Sequence, residues 1–207
     1  MKIEVLDLGI NNLKSLTTGL NALSNVDLVV IDDASKAKNP DLIVLPGVGA
    51  FGEAMRRIRE RSFDSLIKDH VTKGNKIFGV CLGMQLLFEE SDESPNCSGL
   101  GIFSGGVKRL NHNARVPNVG WLEAKYSPNP NWITKLEKNE YYFVHSYAAV
   151  PSNAAEILAK SVHGGEEFAS AVISDRAFGV QFHPEKSSAA GEELLSGLVS
   201  WTSNAKN

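Results

Sequence analysis

The segment Phe78-Gly79-Val80-Cys81-Leu82-Gly83-Met84-Gln85 limits the possible folds of this chain more than any other. An apolar run ends on a cysteine set between glycines, and a helical pattern begins at once. That order reads as a strand, a sharp turn and a helix. The thiol is presented at the turn, where flanking β-carbons have no room. Sites built this way sit at the carboxyl edge of a parallel sheet.

The first half of the chain agrees with such a sheet. Short apolar runs at 3–6, 28–31, 42–45 and 77–80 read as buried strands. Between them, 13–23 and 50–73 carry apolar residues at helical spacing, the second breaking near Arg61-Ser62. Strands separated by helices imply right-handed crossovers and parallel pairing. A helix over 82–90 follows the turn. From Gly101 the texture changes to short strand candidates at 102–110, 118–124, 141–144, 156–160, 168–173 and 178–182, with a closing helix over 191–201. The expected fold class is α/β: a mostly parallel central sheet flanked by helices, with a smaller antiparallel or mixed sheet. No linker divides the chain, so residues 1–207 are expected to form one domain.

Composition excludes more than it selects. The formal net charge is −3 with no basic stripe, which argues against nucleic acid as a partner. Arg56, Arg57, Arg59 and Arg61 alternate with Glu53, Glu60 and Asp64 as on a solvated helix face. No apolar run approaches membrane-spanning length and the start lacks a signal-peptide stretch, so no membrane association is expected. Only two cysteines occur, Cys81 and Cys97. They make no disulfide framework, and a reducing, cytoplasmic setting follows. His70, His112, His145, His163 and His183 show no metal-ligand spacing, and neither a phosphate loop nor a dinucleotide fingerprint appears. No metal and no cofactor are expected.

Far along the chain stands Gln181-Phe182-His183-Pro184-Glu185-Lys186. A thiol, an imidazole and a carboxylate two places beyond it supply nucleophile, base and orienting group: Cys81, His183 and Glu185. Pro184 marks a strand end, where the ladder stops receiving donors. A thiolate attacking an acyl group also needs donors for the developing oxyanion. The amide of Leu82 is one candidate. The Pro46-Gly47-Val48-Gly49 turn after the strand at 42–45 offers another.

Taken together, these motifs resemble the class I, triad-type glutamine amidotransferases. Pro117-Asn118-Val119-Gly120-Trp121, Tyr142-Phe143-Val144-His145-Ser146-Tyr147 and His183-Pro184-Glu185-Lys186-Ser187 narrow the resemblance to the glutaminase subunits of imidazole glycerol phosphate synthases, in histidine biosynthesis. The resemblance runs from Asp7 to Ser187 with the motifs in order. It implies that Cys81 attacks the side-chain amide of glutamine, forms a glutamyl thioester and releases ammonia, with His183 as base then acid and Glu185 supporting it. It places Leu82, Gly47, Val48 and Gly49 at the oxyanion hole. It places Gln85, Glu93, His145, Ser146 and Tyr147 around the substrate, although Glu93 fits a surface carboxylate almost as well. It implies a heterodimer in which ammonia passes to a (β/α)8 cyclase subunit, with Asn118, Trp121, Tyr142 and Lys186 near the junction. Trp121 fits a core aromatic equally.

The loop Asp7-Leu8-Gly9-Ile10-Asn11-Asn12-Leu13 departs from the family pattern, lacking its aromatic after the acid and its glycine before the second asparagine. The resemblance places this loop on the side that faces the partner. A paralogous glutaminase feeding a sugar-aminating synthetase in surface-polysaccharide biosynthesis is therefore the rival expectation. A stand-alone thiol amide hydrolase, or a binding protein with a dead site, stands further off.

Overall fold

The computed structural model describes residues 1–10, 13–110, 115–126 and 139–203. Asn11 and Asn12, in the loop that departs from the family pattern, lie outside the described residues. The first half alternates strand and helix: β1 (Lys2–Leu6), α1 (Lys14–Asn21), β2 (Asp27–Ile31), β3 (Leu42–Gly47), α2 (Phe51–Glu60), α3 (Phe63–Thr72), β4 (Lys76–Cys81) and α4 (Leu82–Leu86). The second half is strand-rich: β5 (Glu90–Ser91), β6 (Gly105–Arg109), β7 (Asn118–Glu123), β8 (Lys125–Tyr126), β9 (Glu140–His145), β10 (Tyr147–Pro151), β11 (Ile157–His163), β12 (Glu166–Ile173) and β13 (Ala177–Val180), closed by α5 (Ser188–Ser203).

Eight strands form the central sheet in the order β2-β1-β3-β4-β13-β12-β11-β8. The half from β2 to β13 is parallel, and β12, β11 and β8 continue it antiparallel. Every residue of β3 and β4 is buried, as expected of parallel strands covered on both faces. On one face Leu16 and Leu20 of α1 and Leu194, Leu198 and Trp201 of α5 join Val5, Val44 and Phe78. On the other, Met55 and Ile58 of α2 and Ile67 of α3 join Leu6, Ile43 and Ile77. Two small sheets lie outside this frame: a mixed one ordered β10-β6-β5, and an antiparallel pair of β7 and β9.

Departures from the sequence reading have local causes. The expected helix over 82–90 stops at Leu86, because the return segment captures its carbonyls. Leu100 donates to Leu86, Ile102 and Phe103 to Leu87, and Gly101 to Phe88. The strand expected from 102 starts only at Gly105. The break between α2 and α3 is real, with Ser62 in a left-handed conformation at φ 56°. As expected, strands of the second half join the main sheet, and smaller sheets stand beside it.

One close approach fixes the turn after β4. A β-carbon on Gly83 would come within 1.7 Å of the Leu45 carbonyl oxygen, a backbone atom of the neighbouring strand. Gly83→Ala is therefore expected to cost about 3 kcal/mol of stability by overpacking. Thermal unfolding followed by circular dichroism checks this, and a melting temperature equal to that of the parent chain would show that α4 does not sit this tightly on β3.

Candidate active site

Cys81 is the last residue of β4 and the cap of α4, with φ 54° and ψ −113°. A non-glycine residue with positive φ is uncommon and costs energy, and such strain concentrates at functional sites. The conformation lifts the side chain out of the sheet at its carboxyl edge. Gly47, ending β3, is in register with Cys81. A β-carbon there would meet the Gly83 amide nitrogen at 2.6 Å and the Leu82 β-carbon at 2.7 Å, so only glycine fits against the turn. Leu82 opens α4, where first-turn amides have no acceptor inside the helix. Val48 and Gly49 continue from Gly47 and are exposed.

His183 arrives from β13, which pairs with β4 residue for residue from Ile77 to Val80. The segment is held firmly. Phe182 stacks on Tyr141 with centroids 3.8 Å apart and meets Phe143 edge-on at 5.5 Å. The His183 amide donates to the Tyr142 carbonyl. Ser187 Oγ donates to the His183 carbonyl at 2.6 Å and accepts from the Tyr142 amide at 3.0 Å. Glu185 Oε1 lies 2.8 Å from His183 Nδ1. The imidazole's other nitrogen, Nε2, is buried without a conventional hydrogen bond among the described residues, and the Cys81 sulfur is its near neighbour. Burial alone lowers the pKa of His183, but the nearby Cys81 sulfur and the Glu185 carboxylate outweigh it and raise the value to about 9.

Around the sulfur lies a second set of polar groups. Gln85 is buried, and its Nε2 donates to the Tyr147 carbonyl at 2.8 Å and to Gln181 Oε1 at 2.9 Å. Gln181 Nε2 in turn reaches Cys81 Sγ at 3.7 Å. His145 also uses the Tyr147 carbonyl, through Nδ1 at 2.9 Å, and its Nε2 accepts from Asn118 Nδ2 at 2.9 Å. Because a carbonyl only accepts, His145 carries its proton on Nδ1. Burial pushes its pKa down to about 4, so it is neutral. Ser146 lies between them, its carbonyl accepting from the Leu110 amide.

Two expected positions have other surroundings. Glu93 Oε2 accepts from the Phe51 amide at 2.7 Å and so caps α2, directly after the Gly47 to Gly49 turn. Asn118, expected at a partner junction, is 2% exposed, and its Nδ2 is bound to His145. Trp121 is 49% exposed and is not a core aromatic. Its ring lies 6.1 Å from that of Tyr142, over which Lys186 Nζ sits at 5.9 Å. Val119 and Val144 extend the same exposed face of β7 and β9. Gln181 and Ser187 have no role assigned by the sequence motifs. A polar amide between the core residues Val180 and Phe182, two places from the imidazole, was the available signal.

Comparison with known proteins agrees with this geometry. The family model for glutamine amidotransferase class I matches residues 4–198. The imidazole glycerol phosphate synthase subunit HisH of Aquifex aeolicus is 40% identical over 94% of this chain and 94% of its own length. Its counterpart in Oceanobacillus iheyensis is 42% identical over 93% and 96%. A solved glutamine amidotransferase structure superimposes with a TM-score of 0.73 over 97% of this chain and 98% of its own, at 18% identity, and so supports the fold. The chain belongs to the class I glutamine amidotransferase family and, within it, to the group of imidazole glycerol phosphate synthase subunit HisH.

Proposed function

We propose that this chain is the glutaminase subunit of an imidazole glycerol phosphate synthase, with Cys81, His183 and Glu185 as its catalytic groups. The observation that carries the reading is the strained Cys81 beside an imidazole whose far nitrogen is held by Glu185. The Cys81 thiolate attacks the side-chain carbonyl carbon of glutamine, and its electron pair moves to oxygen. Donors for that oxyanion come from the Leu82 amide and the Gly47-Val48-Gly49 backbone. His183, protonated at rest, gives its proton to the departing nitrogen, and ammonia leaves with a glutamyl thioester behind it. Neutral His183 then takes a proton from water, which displaces the sulfur and yields glutamate. One glutamine and one water give one glutamate and one ammonia.

The family resemblance assigns the amino and carboxylate ends of glutamine to Gln85, Ser146, Tyr147 and Glu93, and Glu93 also accepts from the Phe51 amide at the start of α2. Gln85 has both amide hydrogens engaged, so it offers a ligand its carbonyl oxygen. His145, neutral and saturated, is a scaffold for the Tyr147 carbonyl and not a second base.

Ammonia protonates readily in water, which favours direct transfer to a synthase partner, a (β/α)8 cyclase, in a cytoplasmic heterodimer. The face of Val119, Trp121, Tyr142, Val144 and Lys186 fits a docking surface, with exposed aromatics beside a cation. The relatives matched are HisH subunits, which does not favour the sugar-aminating alternative.

In the reconstituted complex, Cys81→Ser and His183→Asn should each lower glutamine-driven synthesis by about a thousandfold or more while sparing synthesis from added ammonium salt. Loss of both activities would contradict the division of labour.

The pH profile follows from His183. Below a pKa of about 9 the ring is protonated and can protonate the leaving group; above it that acid is lost. Glutaminase kcat/KM should therefore fall on the alkaline side near this value. Glu185→Gln removes one of the groups that raise the pKa and should move the limb to lower pH. An unmoved limb would show that another group donates the proton.

Trp121→Ala should weaken complex formation by about 2 kcal/mol, read by calorimetric titration with the cyclase, and leave the melting temperature of the isolated chain unchanged. An unaltered Kd would place the partner elsewhere.

A further inference from the structure

Gln181 is completely buried, and nothing in the reaction as described above uses it. Its amide orientation is nonetheless fixed by neighbours that leave no choice. The Tyr147 carbonyl is only an acceptor, so the Gln85 group facing it at 2.8 Å is the amide nitrogen. The same nitrogen sends its second hydrogen to Gln181 at 2.9 Å. Gln181 must therefore present its oxygen to Gln85, and its own nitrogen is left on the side of Cys81, 3.7 Å from Sγ.

Resting on the glutaminase reading, we infer that Gln181 is a catalytic residue that donates an N–H hydrogen bond to the Cys81 sulfur, holding it in place and favouring the thiolate before glutamine arrives. A hydrogen bond from a neutral donor strengthens when its acceptor becomes charged. On another side of the sulfur the Val144 carbonyl oxygen, 3.9 Å away, can receive only the thiol's proton and so favours the protonated form. Gln181 opposes it. The titratable groups closest to the pair are His183, with Glu185 behind it, and His145 on β9, which is neutral. His183 serves as the proton's other holder, while Gln181 contributes a fixed dipole that neither gains nor loses charge. The relay also ties the sulfur to Tyr147 through Gln85, so the segment proposed to grip glutamine's backbone end and the nucleophile share one hydrogen-bonded support.

The test is the pH dependence of Cys81 alkylation by iodoacetamide in the full chain, on a Cys97→Ser background so that one sulfur is read. Gln181→Met keeps the bulk and removes the donor. It should move the midpoint of the alkylation profile to higher pH. Gln181→Glu keeps the side chain's shape and an acceptor for Gln85 but removes the fixed amide donor, and should shift the profile in the same direction. In glutamine hydrolysis both variants should lower kcat with KM changed by less than about twofold. If Gln181→Met melts early, the near-isosteric Gln181→Glu is the variant read. A profile superimposable on the parent's in a variant with parent-like melting overturns the inference. If alkylating the parent chain leaves its glutamine hydrolysis intact, the glutaminase reading fails instead, so the two failures are told apart.

Discussion

The backbone at Cys81 is the constraint on which the rest of the molecule depends. Its φ of 54° is costly for a residue with a β-carbon, by about 1–3 kcal/mol, and persists only because the surroundings leave no alternative. Those surroundings are backbone pressed on backbone: Gly83 lies against the Leu45 carbonyl and Gly47 against the Gly83 amide. Strands β3 and β4 bring these atoms together by parallel pairing, and their burial under helices on both faces keeps them there. The geometry that presents the thiol at the sheet's carboxyl edge is thus set by the deepest part of the core, and not by a loop.

The imidazole comes to the sulfur by a different kind of restraint. The β13 strand delivers the 181–183 segment alongside β4, and the Phe182 stack on Tyr141 prevents it from turning. Ser187 and the Tyr142 backbone close a ring of hydrogen bonds around His183. Tyr142 also points its side chain toward Trp121 and Lys186 on the exposed face of β7 and β9. One residue therefore touches both the support of the histidine and the surface proposed to meet a partner. A shift of β9 on docking has a direct mechanical route to the base.

Much of this was legible in the amino-acid order because the relevant signals are local. Strands β3 and β4 read as unbroken apolar runs since both faces are buried, and the glycines around Cys81 mark a turn that larger residues cannot make. Boundaries were legible only where no distant segment competed. The helix after Cys81 ends early because amides from Leu100 to Phe103 take its carbonyls, an event that residues 82–90 do not encode. Side-chain direction was the least readable feature. Asn118 turns inward to His145 while Trp121, on the same strand, turns outward. Glu93 finds the amide of Phe51, a partner far away in the chain. Gln181 was readable in principle as a polar residue inside an apolar run, but its function depends on Gln85 and Tyr147, which only the folded sheet brings near.

The central claim is that one sulfur, at position 81, receives the glutamyl group. A glutamine analogue bearing an electrophilic carbon in place of the side-chain amide tests it directly, with the site of attachment read by peptide mass spectrometry. Stoichiometric labelling of the Cys81 peptide is expected, blocked by excess glutamine and absent from Cys81→Ala. Labelling at Cys97, or inactivation without any adduct at Cys81, would contradict it.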